Sequence, residues 1–222
     1  EMTSFVLNPE KNTNTIITSD KLLSETRNRL IMILYSYLEQ PGLLDPILPT
    51  IIPLMTNTML ELISQYLKSN SQIQKKLFDY ILTLSQIIYN ICKIRGFSPI
   101  SKFFSSEVNV FETVINFLIT LPIVHSYHWT VNYVLILWSS LLAMVPFDID
   151  TIDSNGTLIK NLFTYLKDEL VNSSNVRDIT AYCLSKFLTR PDIVKKNILD
   201  KYINESVNNL INPKKKGSIF TM

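Results

Sequence analysis

An all-α fold of stacked antiparallel helix pairs is predicted by three features of the sequence. Apolar residues recur at helical spacing in one segment after another. Proline, glycine and polar clusters end these segments at short intervals. Between them, no convincing run alternates apolar and polar residues as a half-buried strand would. The stretch from Trp129 to Asp192 shows the plan best. An almost wholly apolar helix is followed by a polar break, an amphipathic helix, a second break, and a helix closed by Arg190-Pro191-Asp192.

Taken in order, residues 1–18 are rich in Asn and Thr and are expected to be flexible. Ser19 or Asp20 can cap a first helix near 20–39, whose Leu22, Leu23, Leu30, Leu34 and Leu38 share helical spacing. Gln40-Pro41-Gly42 ends it. Asp45-Pro46 suits a helix start, because a proline in the first turn forfeits no intrahelical bond. Pro49 and Pro53 predict a kink or a broken first turn, since an interior proline costs about 3 kcal/mol. Regular helix is then expected near 54–67. Ser71 is read as the cap of a third helix reaching Ile94, with Gly96 as its stop.

A short helix near 99–104 and a longer one over 108–119 follow. The segment 129–144 is apolar on most of its circumference, which marks a helix covered on several sides. Amphipathic helices are expected over 156–170 and 175–189, and a single final helix over 191–210. Starts near Val108 and Gly156 lie about 48 residues apart, close to the HEAT or armadillo period of ~40–47. The Val176-Arg177-Asp178 opening resembles the second helix of a HEAT repeat. The fold class is therefore a HEAT/armadillo-like α-solenoid of antiparallel helix pairs, with a compact bundle as the alternative. One helical-repeat domain over 19–212, part of a longer solenoid, precedes a basic tail or loop over 213–222.

Composition narrows the function classes. The 222 residues are 46% apolar and carry a formal charge of +2, with 21 basic and 19 acidic residues. Lys and Arg are scattered, apart from Lys214-Lys215-Lys216, so a nucleic-acid partner is not expected. Four glycines leave no phosphate-cradling loop. The two cysteines, Cys92 and Cys183, sit within apolar helical patterns and are expected as buried free thiols. The apolar run from Tyr133 to Phe147 is interrupted by Ser139-Ser140 and falls short of the ~20 residues a membrane span needs. No membrane insertion is expected. The polar N-terminus is no signal peptide, and Glu1 ahead of Met2 suggests an excised fragment.

No catalytic constellation emerges. His125 and His128 lie in a loop without a third metal ligand. No metal, cofactor or enzyme activity is expected. Candidate contacts for a protein partner are Trp129, Phe147, Asp148, Arg177 and Arg190. Trp129 stands at a helix start, whereas Trp138 lies mid-helix among leucines and reads as core. Phe147 and Asp148 either terminate a helix or form a ridge loop that touches a partner. Arg177 and Asp178 open a helix and suit bridges between neighbouring repeats. Arg190-Pro191-Asp192 suits a corner that sets the angle between units. Arg95 follows a helix end, where the dipole favours a cation by about 0.3–1 kcal/mol.

Four segments resemble the N-terminal region of the tubulin-folding cofactor D (tubulin-specific chaperone D) family. They are LEQPGLLDP at 38–46, IRGFSPISKFFSSEV around Arg95, WTVNYVLILWSSLLAMVPFD from Trp129, and RDITAYCLSKF with the following TRPDI. They stand in the family's order, and the resemblance covers an early part of a much longer protein. The chain departs from the family at Asn132, where Arg is usual before the Tyr, and in the loop after Asp148. High Asn, Ile and Lys usage suggests a fungal lineage.

The resemblance implies a cytoplasmic chaperone of the microtubule cytoskeleton. It would bind β-tubulin, join cofactors C and E and an ARF-like small GTPase in assembling the α/β-tubulin heterodimer, and help stimulate tubulin GTP hydrolysis. The alternative is a generic HEAT-repeat adaptor for another protein, which tubulin or ARF-like GTPase in a pulldown would oppose. A third reading, a membrane-surface protein using the apolar helix and Lys214–Lys216, would require binding to anionic liposomes.

Overall fold

The computed structural model describes residues 13–121, 129–146, 157–171 and 175–211. Among these residues every regular element is helical. The chain forms two compact units, 1–105 and 106–222.

The first unit is arranged around α3 (Ser71–Arg95), which packs against α1 (Thr13–Tyr35) and α2 (Leu48–Lys68). A 3-10 turn, Pro41–Leu44, joins α1 to α2, and the short α4 (Phe97–Ser101) follows α3. The inward face of α2 carries Leu48, Ile52, Met55, Met59, Leu62 and Ile63, preceded by Leu44. That spacing places one apolar side chain against α3 on every turn. α1 starts at Thr13, upstream of the expected cap at Ser19 or Asp20.

The break expected at Pro49 and Pro53 does not occur. α2 begins at Leu48 with Pro49 in its first turn, and runs on through Pro53. A lone interior proline costs about 3 kcal/mol. Burying each Leu or Ile side chain returns about 1.5–3 kcal/mol, and Leu48, Ile52 and Met55 are all buried around it. Tertiary packing outweighs local propensity here. Asn70, not Ser71, is the N-cap of α3. Gly96 ends α3 at φ +91°, with its N–H donating to the Cys92 carbonyl at 2.8 Å. A Cβ would meet only Pro99 at 3.9 Å, so the backbone angle, not space, requires glycine.

The second unit holds α5 (Val108–Thr120), α6 (Trp129–Ser140), a 3-10 turn (Leu141–Met144), α7 (Thr157–Val171) and α8 (Arg177–Leu188). α5 packs on α6 and α7 on α8, while α5 also packs on α7 and α6 on α8. First helices therefore stack on first helices and second on second, which is the two-layer plan of a helical repeat. α6 lies in the interior: Val131, Val134, Leu135, Ile136, Leu137 and Trp138 are all fully buried. Its Ser139 and Ser140 hydroxyls donate to the Leu135 and Leu137 carbonyls at 2.9 and 2.6 Å. These bonds remove the cost of burying them.

The final helix is not continuous. It divides into α9 (Pro191–Lys195) and α10 (Ile198–Ile211), and Asn197 between them has φ +54°. Asn is the residue besides glycine that most readily takes this conformation. α10 meets α7 through the rings of Phe163 and Tyr202, 6.3 Å apart and edge-on. Lys167 lies over both rings and donates to Glu205 Oε2 at 2.8 Å.

Candidate partner surface and the arginine clasps

Two arginine–aspartate contacts fix the corners of the fold. In the first unit, Arg95 at the end of α3 reaches back to Asp45, in the turn before α2. Its Nε donates to Asp45 Oδ1 at 2.6 Å and its Nη2 to Oδ2 at 2.9 Å. This two-pronged geometry gives orientation as well as attraction. The Arg95 guanidinium, chiefly by hydrogen bonding, holds the Asp45 carboxyl below its ordinary range, and Asp45 raises Arg95 in turn.

In the second unit, Arg190 Nε and Nη2 each donate to the Asp192 carboxylate at 3.0 Å. Its Nη1 donates to the Val145 carbonyl at 3.0 Å. Asp192 Oδ1 also accepts the Ile193 N–H at 3.0 Å. The side chains of Arg190 and Asp192 are only 6% and 11% exposed. Two buried opposite charges are tolerable because each is hydrogen-bonded. The clasp ties the corner before α9 to the residue that leaves the 3-10 turn after α6.

The candidate residues fall into three groups. Arg190 does not present its guanidinium to a partner: it is buried and spent on Asp192 and Val145, which corrects its place among surface contacts and fits the corner role. Trp129 is half-buried at the first position of α6, and Arg177 is exposed at the first position of α8. A cation at a helix N-terminus opposes the dipole, so Arg177 gains nothing there from its own helix. Phe147 and Asp148, like His125 and His128, lie outside the described residues.

The two buried thiols are of the inert kind. Burial pushes the Cys92 thiol up to about 12 and the Cys183 thiol further still. Neither is a thiolate near neutral pH, so neither is a ready nucleophile. Burial, reinforced by Glu169, also raises the Tyr165 phenol. Among the described residues, no group of His, Cys, Asp and Glu is placed to hold a metal ion, and no helix is long and apolar enough to cross a membrane.

The stacked layers and polar corners define an all-helical repeat protein of the armadillo/HEAT kind. Residues 34–214 match the family described as tubulin-specific chaperone D-like, ARM repeat, and the chain belongs to that family. It is 26% identical over 180 residues to tubulin-folding cofactor D of Schizosaccharomyces pombe (strain 972). That alignment covers 79% of this chain and 15% of the relative. No solved structure matches.

The match spans both clasps. The two clasps draw their residues from the four resembling segments. Asp45 comes from the first segment and Arg95 from the second; Val145 comes from the third, and Arg190 and Asp192 from the fourth. Sequence reasoning treated Arg95 as a helix-end cation and missed its partner. No local feature of the sequence marks Asp45 as that partner, since the two lie 50 positions apart.

Proposed function

We propose that this chain is the part of a tubulin-folding chaperone that binds β-tubulin on a helical-repeat surface. In the cytoplasm it takes part, with cofactors C and E and an ARF-like small GTPase, in assembling the α/β-tubulin heterodimer. The observation that carries this reading is family membership over residues 34–214. The clasps support it physically, because partner contacts are precise only when the elements bearing them are rigid.

Binding energy is spread over exposed side chains of a fixed scaffold, holding one tubulin subunit ready for the other. Exposed Arg177 and half-buried Trp129 are the contacts proposed on the described surface, and Phe147 and Asp148 are proposed with them. Arg and Trp are the residue types that most often dominate such interfaces. The chemistry of GTP hydrolysis stays in tubulin; this chain helps position it within the larger assembly at the microtubule cytoskeleton. The repeats of 19–212 serve as one segment of a longer solenoid, with 213–222 as a basic tail or loop.

Sedimentation velocity of the purified chain with α/β-tubulin, with and without the ARF-like GTPase, tests the reading. A faster-sedimenting complex in either mixture is expected. A folded, helical chain that sediments independently of both proteins would contradict it.

A further inference from the structure

The outer side of the α2 entry carries an apolar ridge that stays exposed among the described residues. Leu43, Ile47, Ile51 and Leu54 are 61%, 44%, 37% and 58% exposed. Each stands one position before an inward residue: Leu44, Leu48, Ile52 and Met55 are all buried against the unit's core. The chain between is tightly wound. Asp45, Ile47 and Ile51 N–H groups donate to the Gly42, Leu44 and Ile47 carbonyls at 3.1, 3.0 and 3.0 Å. Ile47, Ile51 and Leu54 therefore recur on one helical face, and Leu43 precedes them by one turn. Scattered exposed apolar side chains need no explanation, but a contiguous row does.

Charge says what covers it. From residue 30 to residue 67 the chain contains no Lys, Arg or His. Its only charged residues there are Glu39, Asp45 and Glu61, and all three are exposed. Asp45 is matched by Arg95. Glu39 and Glu61 remain as the acidic ends of the ridge in sequence, with Glu61 two turns beyond Leu54 on the same face of α2. An antiparallel second copy would set these acidic ends against one another, so the ridge is ill-suited to self-pairing. A helix with apolar side chains on one face and Lys or Arg flanking them meets both features.

We propose that the Leu43–Leu54 ridge docks a basic amphipathic helix of a protein partner. Its apolar side chains lie along Ile47, Ile51 and Leu54, and its cations meet Glu39 and Glu61. The docked helix packs along the exposed row at i, i+4 and i+7, as amphipathic helices do on apolar protein surfaces. It does not depend on the tubulin reading, since Trp129 and Arg177 belong to the other unit.

The test uses the full chain and a fluorescent synthetic helix of Leu and Lys, about 18 residues long so that it holds its helix. A counterpart with Glu in place of Lys is the control. Anisotropy should show binding of the Lys helix, weakened by salt, and little binding of the Glu helix. Leu54→Asp should weaken it more than tenfold. The double change Glu39→Lys with Glu61→Lys should do the same, and Arg177→Glu should leave it unchanged. Leu54 is more than half exposed, so Leu54→Asp should keep the helical circular dichroism; Ile47→Gln is the milder second variant. Equal binding of the two helices, no binding, or binding indifferent to both ridge variants would overturn the proposal. So would concentration-dependent self-association abolished by Leu54→Asp, which would make a second copy the occupant.

Discussion

Arg95 grips both carboxylate oxygens of Asp45, 50 positions earlier in the chain, and so fixes the end of α3 to the turn that starts α2. The contact has a pH signature. The folded-state pKa of Asp45 lies below its ordinary value of 3.8, chiefly because of the hydrogen bonds from Arg95. A carboxyl depressed in the folded state contributes stability above its unfolded pKa and loses it as pH falls through the folded one. Wild type should therefore exceed Asp45→Asn in urea stability by a constant margin at neutral pH. That margin should shrink once pH drops below the ordinary aspartate range. A margin unchanged at strongly acid pH would show that the pair is not what Asp45→Asn removes.

The second clasp is buried, and its loss should be larger. Arg190→Ala leaves the Asp192 carboxylate without its guanidinium in a site 11% exposed. Breaking such a pair from one side costs about 3–5 kcal/mol. Urea denaturation should show that loss, and Arg190→Lys should recover only part of it, because an ammonium cannot make the forked contact. An Arg190→Ala variant as stable as wild type would refute the corner role.

Cys92 and Cys183 should be silent in the native chain. Both are buried, and burial keeps both protonated at neutral pH. An aromatic disulfide reagent at pH 8 should label them slowly in buffer and rapidly in denaturant, with two thiols released per chain. Rapid labelling in buffer would mean that α3 or α8 opens readily.

α10 should loosen before the rest of its unit. Among the described contacts, the Phe163–Tyr202 ring pair and Lys167 hold it to α7. The ring pair is worth about 0.5–1.5 kcal/mol beyond its buried area. Tyr202→Ala should speed amide exchange across 198–211 and leave α6 protected. Equal exchange in α6 and α10 would contradict this ranking.

Much of the architecture could be read from the chain alone because its helices are strongly periodic. The enclosed character of α6 follows from an apolar circumference, and burial of Trp138 from its position within it. Pro53 misled because local cost was weighed without the packing that Leu48, Ile52 and Met55 supply. Asn197 was missed because an Asn in left-handed conformation leaves no mark on hydrophobic spacing. Arg190 reads from the sequence both as a corner residue and as a partner contact, because nothing local shows that Val145, 45 residues earlier, would present a carbonyl to it. The Leu43–Leu54 ridge escaped notice because its residues read simply as more of the same apolar helix. Only burial separates the two rows.

The most direct measurement is sedimentation velocity of the chain with α/β-tubulin, run beside Arg177→Glu. Arg177 is exposed and opens α8 without stabilising it, so the variant should fold as wild type does. Wild type should form a complex, and Arg177→Glu one at least tenfold weaker. A wild-type chain that is folded and helical yet forms no complex, with or without the ARF-like GTPase, would contradict it.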